Sequence, residues 1–93
     1  MSSKSERRDA LEVVRAYHEA RLAELVQRVC DGVDRFRAGD LSAFETDRVL
    51  FQYSRAAKEL WKFCNLADPE FSAGLIRDGV GIDWWERGAP RPR

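Results

Sequence analysis

Apolar residues recur at helical spacing from Leu11 onwards. Projected at ~100° per residue, Leu11, Val14, His18, Leu22, Leu25, Val26, Val29, Val33 and Phe36 share one stripe. The run predicts a long first helix capped by Ser5, with Glu6 and Asp9 near its positive end, Arg35 and Arg37 near its negative end, and Gly39 as the C′ residue. Gly32 costs ~1 kcal/mol relative to alanine inside a helix, so it marks a bend or a close contact. The polar stretch "GDLSAFETD" follows. Its Ser42 and Glu45 match a capping box, in which each side chain closes the other's free backbone amide. A second helix is predicted from about Ala43 to Leu66, with Val49, Leu50, Tyr53, Ala56, Ala57, Leu60, Trp61, Phe63 and Cys64 on its apolar arc. "ADPEFSAGLIRDG" predicts a short third helix with Asp68 as N-cap, Pro69 first, Gly79 as the stop, and Phe71, Leu75 and Ile76 facing inwards. Beyond Gly81 only one turn is expected, around "DWWER" with Asp83 as cap. "GAPRPR" is expected to be extended.

Two long helices joined by a short polar connection predict an all-α fold: an antiparallel two-helix hairpin plus a short third helix and an extended C-terminal tail. Residues 1–4 are expected to be disordered, 5–78 to form the helical domain, and 79–93 to form a partly ordered Trp/Arg tail. Such a hairpin has little interior, so dimerisation into a helical bundle is expected. Val13, Ala16, Ala20 and Ala23 form a second, small-residue face on the first helix. Close approach there suits the third helix or a second copy; the plainer reading is solvent-tolerant helix formers.

Composition narrows the function classes. The 93 residues carry 16 Lys and Arg against 16 Asp and Glu, so bulk attraction to nucleic acid or membranes is not expected. With 44% hydrophobic and 34% charged residues, the chain is globular in composition. No apolar run suits a signal peptide or a spanning helix, and the cytoplasm is the expected location.

Catalytic signals are weak. If the chain reverses near residues 40–41, positions summing to about 81 lie level, which puts His18 beside Phe63 and Cys64. A Cys/His pair is raw material for a nucleophile, but an apolar seam lacks the cationic neighbourhood that activates a thiol. A packed, neutral histidine is the expectation. Cys30 falls level with Phe51, roughly 20 Å from Cys64 along the second helix, so two buried free thiols are expected. No Glu-x-x-His pair, EF-hand loop, P-loop or zincin motif occurs; no cofactor, metal site or catalytic residue is assigned.

Two features point to partners instead. Arg48, Arg55, Lys58 and Lys62 share about a quarter of the second helix and could follow phosphates, although Asp47 and Glu59 also suit them to a solvated face. Phe51 projects to that side without a partner in the hairpin, while Phe44 is expected to tuck under the connection. Trp84 and Trp85 diverge, so one is expected to close the hairpin while the other, with Arg87 and Phe51, meets a partner. The first reading is a small non-enzymatic interaction module that self-associates or regulates another protein, in the manner of a small antitoxin or regulatory subunit. A nucleic-acid-associated helical protein is the second. A small all-helical enzyme with a site shared between subunits, using His18, Tyr17, Glu19 or Arg21, is the third.

Overall fold

The computed structural model describes residues 3–92. Met1, Ser2 and Arg93 lie outside them, so the expectation of disorder over residues 1–4 falls half outside the described residues; Ser3 and Lys4 instead open the first helix. Four helices follow one another: α1 (Lys4–Arg37), α2 (Ala43–Asn65), α3 (Pro69–Arg77) and the single turn α4 (Trp84–Arg87).

Local chemistry explains the boundaries. Ser3, not Ser5, caps α1, accepting from the Glu6 amide, so Lys4 and Ser5 are already helical. At α2 the capping box is complete: Ser42 Oγ accepts from the Glu45 amide at 3.1 Å, and Glu45 Oε1 accepts from the Ser42 amide at 3.0 Å. These bonds hold the Glu45 carboxyl below its ordinary pKa, with smaller help from Arg48 and Arg35. Helices α1 and α3 end alike. The Asp40 amide reaches the Arg35 carbonyl and the Val80 amide the Leu75 carbonyl, with Gly39 (φ 83°) and Gly79 (φ 80°) supplying the left-handed residue. Asp68 precedes Pro69 as expected, but its side chain makes no capping bond. Asp83 does cap α4, accepting from the Glu86 amide at 3.1 Å.

Helices α1 and α2 lie along one another. A methyl built on Gly32 would sit 3.1 Å from Val49 Cγ1, so this glycine marks a close crossing. At the other end Tyr17 packs on Phe63, ring centroids 5.7 Å apart. The molecule is elongated, 55 × 30 × 18 Å. One buried cluster threads all four helices: Ala10, Val14, Leu25, Ala56, Leu60, Cys64, Ala73 and Trp84.

The seam on α1 is not centred where the apolar stripe is. Ala10, Val14, Leu25 and Gly32 are buried, whereas Leu11, Val26 and Phe36 stay exposed. On a helical projection the buried line is turned by about 60° from the middle of the stripe, towards Tyr17 and Arg21. The cause is α3 and α4, which pack on that side and add cover there. His18 is therefore half-buried at the edge instead of packed in mid-seam. Helix α3 also departs from expectation. It docks through the small residues Ser72 and Ala73, leaving Phe71 63% exposed and Leu75 and Ile76 half-buried. Small residues let this short helix sit close, and the Ser72 hydroxyl donates to the Phe63 carbonyl at 3.3 Å.

Candidate functional site: two exposed helix faces

The tryptophan turn shapes both faces. Trp84 is buried. Its indole N–H donates to the Tyr17 hydroxyl at 2.7 Å, and its ring meets Phe63 at 5.4 Å. Such a tilted aromatic chain is worth about 0.5–1.5 kcal/mol per pair beyond burial. Trp85 points to another wall, where the Arg28 guanidinium lies 5.4 Å from its ring centre. It stays half-buried. Two bonds from α2 hold the turn down: Gln52 Nε2 donates to the Trp85 carbonyl at 3.0 Å, and Arg55 Nε to the Gly88 carbonyl at 2.6 Å. Gly88 lies directly on the α2 backbone. A Cβ there would come within 2.6 Å of the Ala56 nitrogen and would overlap the Gln52 carbonyl oxygen. Its need is for space, not for an unusual φ, which is −91°.

With α3 and α4 on one side, the opposite side of the α1–α2 pair is uncovered. Leu11, Val26 and Phe36 of α1 are 49%, 43% and 47% exposed, and Leu50 and Trp61 of α2 are 44% and 50% exposed. Half-buried Leu22, Val29, Val33, Tyr53 and Ala57 project between them. The small-residue face lies elsewhere: Val13 is half-buried against the core, while Ala16, Ala20 and Ala23 are exposed.

The second face is on α2. Phe44, Arg48, Phe51, Arg55, Lys58 and Lys62 follow at intervals of 4, 3, 4, 3 and 4 residues, one nearly straight line that is exposed except at half-buried Lys62. Phe44 is 82% exposed, because the short connection passes without covering it, and Phe51 is 58% exposed. The residues after α4 fold back beside this line. Pro90 joins Arg48, Phe51, Gln52 and Arg55 around a cleft of about 390 Å³. Arg87 and Arg91 join Arg55, Lys58 and Glu59 around another of about 400 Å³. Lys62 is paired with Glu59 at 3.4 Å. Arg48, Arg55, Lys58, Arg87 and Arg91 form no ion pair among the described residues.

The thiols part company. Cys64 is buried, and desolvation pushes its pKa up to about 11. Cys30 is exposed, against expectation, because on α1 it lies roughly opposite the buried line of Ala10, Val14, Leu25 and Gly32. A disulfide between them is absent, and both are free. Among the described residues no cluster of three or more His, Cys, Asp or Glu is placed to hold a metal ion. Nor is any helix long and apolar enough to cross a membrane. Neither a family model, nor a curated protein, nor a solved structure matches this chain.

Proposed function

We propose that this chain is a small non-enzymatic helical interaction module, and that it self-associates through the uncovered side of the α1–α2 pair. The observation that carries the reading is the run of exposed apolar residues from Leu11 and Trp61 to Leu50 and Phe36. Weighted by exposure, Leu11, Val26, Phe36, Leu50 and Trp61 alone present roughly 400–500 Å² of apolar surface. A standard interface takes about 800 Å² from each partner, of which somewhat more than half is apolar. The two quantities agree. The contacts of Gly32 with Val49 and of Tyr17 with Phe63 support an antiparallel hairpin, and two hairpins meeting face to face make a four-helix bundle with twofold symmetry. A net charge of zero puts no overall repulsion between two copies.

Sedimentation equilibrium of the chain and of a Val26→Glu/Leu50→Glu variant tests this. The native chain is expected at twice its own mass by concentrations on the order of 100 µM, and the variant at the single mass with its helicity retained. A native chain that stays single at that concentration refutes self-association.

A further inference from the structure

We infer that the line along α2, together with the folded-back residues after α4, is a binding site for single-stranded nucleic acid. Three observations converge. The first is alternation. Phe44 and Phe51 stand out into solvent, with cations between and beyond them at helical row spacing. At 1.5 Å per residue the line from Phe44 to Lys62 runs ~27 Å, enough for several nucleotides. Exposed rings offer flat surfaces for bases, while guanidinium and ammonium groups pair with phosphates; single-strand binders combine these two elements.

The second is that the fold concentrates charge here. Residues far apart in sequence, Arg87 and Arg91, come to the same side as Arg55 and Lys58. The acids Glu6, Asp9 and Glu70 gather instead between α1 and α3, with the cation Arg77 beside them. A chain of zero total charge therefore carries a local basic track, with Asp47 at its edge and Glu59 occupied by Lys62. The third is the cleft beside Phe51. It is lined by Phe51, Pro90, Gln52, Arg48 and Arg55, and its ~390 Å³ gives ample room for one planar base.

The ligand is single-stranded because a duplex already uses its base faces in stacking. The recognised chemistry, phosphate and base face, is common to DNA and RNA. The site lies about 120° round α2 from the uncovered apolar side, so it stands or falls separately from self-association.

Fluorescence anisotropy with fluorescein-labelled oligothymidylate and oligouridylate 12-mers, at 50 and 200 mM salt, is the test. Binding is expected at low salt, with four or five phosphate contacts weakening it roughly 50- to 130-fold between the two concentrations. Phe44→Ala/Phe51→Ala is expected to weaken it at least fivefold, the lower end of base stacking on an aromatic ring. Arg48→Glu/Lys58→Glu should flatten the salt dependence. All four side chains are exposed, so far-UV circular dichroism should match the native chain. Oligodeoxyuridylate, which differs from oligouridylate in the sugar alone, tells which sugar is preferred. No binding at 50 mM salt, unchanged affinity in the Phe44/Phe51 variant, equal affinity for a 12-base-pair duplex, or equal affinity for a poly-glutamate peptide each overturns the inference. The last outcome would make this an acidic-protein site.

Discussion

Gly88→Ala puts a single methyl group where two backbones touch. The added carbon would lie 2.6 Å from the Ala56 nitrogen and 2.7 Å from its Cβ. Backbone cannot swing aside as a long side chain can, so the turn after Trp85 must lift from α2. Overpacking of this kind costs about 1–3 kcal/mol. Lifting also stretches two bonds, Arg55 to the Gly88 carbonyl and Gln52 to the Trp85 carbonyl, each worth about 1 kcal/mol in a partly buried setting. A loss of ~3 kcal/mol is expected, a large share of the total stability of so small a domain. At 4–8 °C per kcal/mol the melting temperature should fall by about 12–24 °C. Thermal unfolding followed by far-UV circular dichroism reads this directly. Amide hydrogen exchange should show the Arg87 and Gly88 N–H groups losing protection before those of α1 and α2. Gly81→Ala serves as control: nothing lies within 4 Å of a Cβ there and its φ is unremarkable, so a change under about 0.5 kcal/mol is expected. A Gly88→Ala protein melting within about 3 °C of the native one would refute the account of α4 as a clip seated on the α2 backbone.

Tyr17→Phe keeps the ring against Phe63 but leaves the buried Trp84 N–H without its acceptor. It is expected to cost about 1–3 kcal/mol in urea unfolding, and under about 0.5 kcal/mol when Trp84 is already Phe. With a disulfide-exchange reagent near pH 8 the native protein should titrate one thiol, Cys30, and the unfolded chain two. Because burial raises the Cys64 pKa to about 11 from its ordinary 9.0, the folded state holds this proton where the unfolded chain releases it. The resulting stability is present below about 9 and is lost as pH rises towards 11, a fall that Cys64→Ala should reduce.

Much of the fold was legible because its signals are local. The Ser42/Glu45 box, the Gly39 and Gly79 stops and the Asp83 cap act within a few residues, and each stands where the pattern put it. What was hidden depends on a third body. Leu11 and Val26 read as seam because they are apolar at the right period. Only the docking of α3 and α4 turns the buried line towards Ala10, while Gly32 is buried by its close crossing with Val49 of α2. Cys30 was placed by its level along the expected hairpin, which says nothing about its direction. The reason for Gly88 is not local at all: it lies against α2, whose Arg55 is 33 residues away in sequence. On the candidate surfaces, the arginine and lysine line was readable from spacing alone. The arrival of Arg87 and Arg91 beside it needs the path of the chain after α4, for which no periodic signal exists.

The three tryptophans sit in three unlike surroundings: Trp84 sealed and hydrogen-bonded, Trp85 half-covered beneath a guanidinium, Trp61 open on the uncovered side. The chain thus carries its own set of optical probes. Emission from Trp84 should be blue-shifted and resistant to iodide, that from Trp61 red-shifted and easily quenched. Single Trp→Phe replacements would let one spectrometer follow the closing turn and the open face as separate events.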